Sequence, residues 1–213
     1  MKKLKIGIFK TDNDLESALK EALKAADWEQ HIKGKVFIKP NLCSKTYIQG
    51  AVTNPLLLFH LIGILRDRAE EVVVGESNGY NYCCNDALSM TGVKKIVEKA
   101  GATTINLSED KIVKVDDHKT YVLKNFPMPK TLIKADSVVD VPVMKTHEFT
   151  TYSGAIKNLF GCIPDDRRIF LHPHFDEVMH DLLVLIKPKF VVIDATFTME
   201  GNGPNRGIVI PSN

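Results

Sequence analysis

Val139-Asp140-Val141-Pro142-Val143-Met144-Lys145-Thr146-His147 is the stretch on which the fold turns. Apolar β-branched residues run straight into Lys-Thr-His, the pattern of a buried strand that surfaces at its carboxyl end. Tyr152-Ser153-Gly154-Ala155-Ile156-Lys157-Asn158-Leu159-Phe160-Gly161 follows, and its small residues read as a helix carrying Lys157 and Asn158.

On the amino-terminal side the same alternation of strand and helix repeats. Lys5 to Phe9 reads as a first strand, and Asp12 or Asp14 then caps a helix with Leu15, Ala18, Leu19, Ala22 and Leu23 at helical spacing. Lys35 to Ile38 is a strand closed by Lys39-Pro40-Asn41, where proline ends the ladder. Asn54-Pro55 caps a helix that runs through Leu65. Glu71 to Val74 is a third strand leading into Gly75-Glu76-Ser77-Asn78. A helical stretch broken at Gly92 stops at Ala100-Gly101, and Thr103 to Asn106 is a fourth strand. Residues 111–123 alternate like an antiparallel hairpin inserted into the fold, and Pro129 to Ala135 makes a short helix.

On the carboxyl side lie a helix from His174 to Ile186, a buried strand from Phe190 to Asp194, and a glycine-rich loop, Met199 to Gly207, before Ile208-Val209-Ile210. The fold class expected is α/β: a mostly parallel sheet with helices on both faces, plus the hairpin. One domain over residues 1–213 is expected. Its apolar end, with no helix returning, suggests a chain cut short at the carboxyl terminus.

Composition bounds the function. The chain has 213 residues, 44% of them hydrophobic and 25% charged, which suits a soluble globular protein. A net charge of +2 without a basic run gives no support to a nucleic-acid partner. The apolar stretch near Met1 is too short for a signal peptide and nothing approaches a membrane span, so a cytoplasmic protein with no membrane partner is expected. Cys43, Cys83, Cys84 and Cys162 form no C-x-x-C pair. They read as reduced structural thiols, with a second reading in which Cys43 faces the site.

In open parallel sheets, ligands sit beyond the carboxyl ends of the strands. Polar groups gather at that end of the predicted strands: Lys39 and Asn41; Glu76, Ser77 and Asn78; Lys145, Thr146 and His147; Asp194 and Thr196. Lys39, Lys145 and Lys157 suit a phosphate or carboxylate, and the helix start near Ser153 adds free N–H groups. His147 can move a proton, while Glu76 and Asp194 orient substrate or a divalent metal. A plainer reading has Lys145 and Lys157 neutralising Glu76 and Asp194 in a buried ion network. In the glycine-rich loop, Asn202 is a ligand-binding candidate and Arg206 can fold over an anion, although a plain glycine-rich turn is the preferred reading of Gly201 to Gly207. His172, His174, Asp176 and His180 make a second candidate, half a metal site at a helix start, against a capped helix whose acids answer its dipole. Asp165-Asp166-Arg167-Arg168 reads as a solvated loop.

Lys39-Pro40-Asn41-Leu42, Val74-Gly75-Glu76-Ser77, Val141-Pro142-Val143-Met144-Lys145-Thr146-His147, Lys157-Asn158-Leu159-Phe160-Gly161 and Met199-Glu200-Gly201-Asn202-Gly203-Pro204 occur in series. Together they resemble the family of unknown function DUF362, in order from Val36 onward. Many members of that family are described as iron–sulfur proteins because a ferredoxin-like domain is attached. The cysteine-rich cluster motifs are absent from this sequence, so the resemblance does not carry a cluster over. It implies a ferredoxin-like domain or protein as a partner.

Three readings follow. The first is an enzyme acting on a small anionic molecule, with Lys145 and His147 as catalytic groups and Lys39, Asn41, Glu76, Ser77, Lys157, Asn158, Asp194 and Asn202 as ligand-binding groups. The second is an electron-transfer or scaffold module serving an iron–sulfur domain. The third is a binding protein without catalysis.

Overall fold

The computed structural model describes residues 4–11 and 14–211. Asp14 caps α1 (Leu15–Ala25), accepting from the amides of Glu16 and Ser17. Asp12, the alternative cap, lies outside the described residues. β1 (Gly34–Pro40) leads to α2 (Pro55–Leu65), where the Asn54 side chain accepts from the Leu56 amide and proline occupies the first turn. That cap satisfies a helix-end N–H that would otherwise lack a partner. β2 (Ala69–Glu76), α3 (Cys84–Met90), α4 (Val93–Lys99) and β3 (Thr103–Asn106) follow. Next come β4 (Ile112–Val115), β5 (Phe126–Pro129), α5 (Lys130–Ile133), β6 (Ser137–Val141), β7 (Val143–His147), β8 (Thr151–Ser153) and α6 (Ala155–Asn158). The chain ends with α7 (Phe175–Ile186), β9 (Phe190–Val191), β10 (Asp194–Glu200) and β11 (Ile208–Pro211).

Five strands form the central sheet in the order β3-β2-β1-β6-β9, every pair parallel. Successive side chains of a strand point to opposite faces, so the sheet builds two cores. Val36, Ile38, Val72, Val74, Val139 and Val141 pack against α1, α2, α3 and α4. Phe37 and Val138 face the other way, against Leu159, Phe160 and the buried side of α7. Leu58, Leu61, Ile62 and Leu65 are fully buried, which explains why α2 is apolar almost all round. Each such leucine contributes about 2 kcal/mol of burial. The fold is therefore α/β, a parallel sheet covered by helices on both faces, with a small antiparallel pair attached.

Three segments depart from the sequence reading. Lys5 to Phe9 is not a strand. Leu4, Ile6 and Ile8 are exposed, and the segment has no ladder partner among the described residues. Lys5 instead pairs with Asp27 at the end of α1. Alternating apolar residues look the same in a paired strand and in an extended arm, so periodicity does not separate the two.

The antiparallel pair is present, but β4 pairs with β5 rather than with residues 120–123. The amides of Tyr121, Val122 and Leu123 turn inward and donate to the buried Asp181 carboxylate at 2.7–3.0 Å. That use of the amides takes the segment out of any ladder.

The stretch around Pro142 is two strands in two sheets. β6 ends in the central sheet at Val141, and β7 begins a second sheet of order β11-β10-β7-β8. β9 and β10 make the same crossing beside it, with Val192 N donating to Asp140 O and Asp194 N to Pro142 O. The parallel neighbours β6 and β9 thus hand over to the parallel neighbours β7 and β10. Proline supplies no N–H, which makes Pro142 a natural break in the ladder.

Candidate functional site

The bend at Pro142 carries β7 across the carboxyl ends of β1 and β2. A cavity of about 120 Å³ lies beneath it, lined among others by Asn41, Cys43, Glu76, Tyr82, Lys145, His147, Lys157, Asn158 and Arg168.

The floor is a buried ion pair. Lys39 is the last residue but one of β1 and is wholly inaccessible; its ammonium donates to Glu76 Oε2 at 2.5 Å and to Pro40 O at 2.7 Å. Gly161 packs directly on this pair. A Cβ there would collide with the Glu76 carboxylate and press on Lys39 Nζ, so only glycine allows the approach. Beside Lys39, in register on β6, stands Asp140. Burial pushes its carboxyl up to about 7, Lys39 and the Asn158 hydrogen bond opposing the rise.

From Asp140 a chain of side-chain amides leads up to the cavity. Asn158 Nδ2 donates to Asp140 Oδ1 at 2.7 Å, Asn41 Nδ2 donates to Asn158 Oδ1 at 2.9 Å, and Lys145 Nζ donates to Asn41 Oδ1 at 2.7 Å. Each amide uses its oxygen and its nitrogen in one sense only, which fixes the direction of both side chains. Lys145 also donates to Ala51 O at 2.6 Å and Cys43 Sγ at 3.1 Å. All of its N–H groups are thereby committed.

Lys157 differs. No carboxylate pairs with it among the described residues, and its ammonium lies 5.6 Å from the Phe160 ring centroid and 5.4 Å from that of Phe175. Burial, with Lys145 and Arg168 nearby, lowers it to about 8. His147, half-buried, is lowered to about 4 by burial and by the charges of Lys157 and Lys145. Its Nδ1 accepts from the Phe149 amide at 3.1 Å, so the neutral ring carries its proton on Nε2. Arg168 sits over Phe160 at 5.7 Å and donates to Ser77 Oγ and to Ile163 O.

Of the residues expected from the sequence, Asn41, Glu76, Lys145, His147, Lys157 and Asn158 line this cavity, and Lys39 lies under it. Ser77 stands behind Arg168, its hydroxyl donating to Gly161 O at 2.5 Å. Asp194 and Asn202 are not brought in. Asp194 is buried elsewhere, accepting from the Asn54 amide at 2.7 Å and from Thr196, and so ties β10 to the cap of α2. Asn202 is exposed on the glycine-rich loop, as is Arg206, although Pro204 of that loop does reach the cavity. A Cβ on Gly203 would strike the Thr146 carbonyl, which is how the loop lies so close on β7.

The ion network anticipated between Lys145 or Lys157 and Glu76 or Asp194 does not form; Lys39 takes Glu76 instead. α6 is a single turn, too short to serve as an anion-binding helix start. Arg168 and Tyr82 also line the cavity and Asp140 lies beneath it, three residues that the sequence pattern did not mark; Arg168, expected in a solvated loop, is partly buried and bonded to Ser77. Cys43 faces the cavity, while Cys84 and Cys162 are buried and all four thiols are free.

The second candidate cluster does not assemble. Among the described residues no three His, Cys, Asp or Glu side chains gather as a metal site. His172 stacks on Phe175 and packs against Phe149 and Phe160. His180 contacts Asp181 Oδ1 at 3.1 Å, and His174 and Asp176 lie at the start of α7.

Comparison with known proteins adds the lineage. Over 87 residues the chain is 31% identical to a thylakoid-associated protein of Synechocystis sp., the match covering 38% of this chain and 27% of that protein. The lactate racemase apoprotein of Thermoanaerobacterium thermosaccharolyticum superposes with a TM-score of 0.54 at 15% identity, covering 95% of this chain and 52% of that one. A Thermotoga maritima protein matches with a TM-score of 0.48 at 13% identity, covering 96% and 55%. The chain thus spans about half the length of these solved structures, and the racemase likeness bears on the fold alone. No described helix is long and apolar enough to cross a membrane. A family model, the domain of unknown function DUF362, matches residues 36–213, and the chain belongs to that family.

Proposed function

We propose that the cavity binds a small carboxylate or phosphate compound and that the chain acts on it as an enzyme. One observation carries this reading. Lys145, Lys157 and Arg168 line a single small cavity, and the carboxylate at its floor, Glu76, is already neutralised by Lys39. Cations held close in a half-buried site repel one another, and an anion between them relieves that repulsion. His147 and Lys157 are both pushed toward their neutral forms, first by burial and then by the neighbouring charges. Arg168 presents a planar fork for a carboxylate or phosphate, and Lys145 is anchored by three acceptors as a fixed point charge. His147 Nε2–H supplies a hydrogen bond to the same ligand.

Calorimetric titration with phosphate and with small mono- and dicarboxylates at low salt tests the proposal. Saturable binding that weakens at least tenfold in Arg168→Ala supports it. Absence of saturable binding for every anion at millimolar concentration overturns it.

A further inference from the structure

Building on the anion-binding reading, we propose that Lys157 is a nucleophile and that the substrates are small 2-oxo acids, whose carbonyl carbon its amine attacks. The division of labour among the lysines points to it. Lys39 is locked to Glu76 Oε2 and Pro40 O under the floor. Lys145 spends its N–H groups on Asn41, Cys43 and Ala51. Lys157 has neither hydrogen bond nor ion pair among the described residues, and its amine stands in the cavity against an apolar wall. Phe160 and Phe175 form that wall, with His172 stacked on Phe175 behind them.

A lysine set against aromatic rings, beside other cations and without a carboxylate, keeps part of its population as free amine near neutral pH. The lowering of Lys157 to about 8 by burial and by Lys145 and Arg168 agrees with this placement. Arg168 then holds the carboxylate of the substrate, with the fixed charge of Lys145 nearby, which sets the adjacent carbonyl before the Lys157 nitrogen.

The step balances without a co-reactant. The amine lone pair forms the C–N bond while the carbonyl π pair moves to oxygen. That oxygen departs as water with both amine hydrogens, leaving a neutral imine. A proton taken up at nitrogen gives the iminium, an electron sink for changes at the neighbouring carbon.

Borohydride reduction of the protein mixed with sodium pyruvate, followed by peptide mass spectrometry, tests the inference. Expected is an irreversible adduct on the peptide containing Lys157, suppressed at least tenfold by excess phosphate. Lys157→Arg, which keeps the charge but offers no amine nucleophile, loses the adduct. The wild-type mapping stands alone should that variant fail to fold. An adduct confined to other lysines overturns the inference. So does competition between pyruvate and phosphate with no adduct at all, and in that case the anion site survives. If neither anion binds and no adduct forms, both readings fall together.

Discussion

Lys39 and Asp140 stand in register on adjacent parallel strands, yet the Lys39 ammonium donates to Glu76, and Asp140 Oδ2 has no hydrogen-bond partner among the described residues. Two buried carboxylates therefore compete for one buried ammonium. The pair that forms supports the floor of the cavity, and the carboxyl left over is the one pushed up to about 7. Structural and functional consequences separate along this division.

Removing one member of the Lys39–Glu76 pair leaves an uncompensated buried charge. Glu76→Gln is expected to cost about 3–5 kcal/mol of stability. Denaturant unfolding measures it, and replacing Lys39 by Met in the same chain recovers part of the loss. A single-variant cost below about 1 kcal/mol would contradict the pairing seen here.

Asp140 predicts a pH signature. Its folded pKa is raised from 3.8 to about 7, so the folded state binds the extra proton. Stability from this group is complete below about pH 4 and is lost as pH rises through 7, a span of about 4 kcal/mol. Lys39, Glu76 and Asn158 are the groups that face it. Asp140→Asn should flatten the stability profile between pH 4 and 8 and stabilise the fold at the upper end. Thermal unfolding across that range provides the check, and a profile parallel to that of the parent protein would count against it.

Asp181 holds residues 121–123 by accepting their amides. Asp181→Ala strips a buried set of N–H groups of their charged acceptor, at a cost of about 2–4 kcal/mol. Hydrogen exchange should accelerate first at those amides. Unchanged protection there would show that the carboxylate does not hold the turn.

Much of this was legible in the residues. Asn54-Pro55 announced α2 because capping chemistry is local, and the break at Gly92 marked the boundary between α3 and α4 for the same reason. The convergence of Asn41, Glu76, Lys145, Lys157 and Asn158 followed from strand ends meeting at one rim. What escaped is tertiary. The apolar run across Pro142 hides a change of sheet, since Val141, Val143 and Met144 continue it without a polar break, although β6 is buried throughout and β7 only in part. Arg168 sits in a 3-10 segment, Asp166–His174, with no periodic signal, and its contacts with Ser77, Ile163 and Phe160 hold it at the cavity. Asp194 was expected at the rim and instead ties down Asn54, because β10 crosses to the second sheet with β7.

Lys157 gives the two proposals opposite dependence on pH. Anion affinity needs the ammonium, so it should fall as pH rises through about 8, whereas adduct formation needs the amine and should rise over the same interval. Affinity and trapping yields measured between pH 6.5 and 9.5 decide this. Parallel trends would contradict the assignment of both roles to Lys157.

The most direct test of the cation-lined cavity is an NMR titration of the His147 imidazole with and without sulfate, an anion whose charge is constant over the range. Free, the ring should titrate near 4, held down by burial and by Lys157 and Lys145. With sulfate bound among those cations the midpoint should rise by at least one unit, since a nearby negative charge favours the imidazolium. An unchanged midpoint at saturating sulfate would show that no anion enters the cavity.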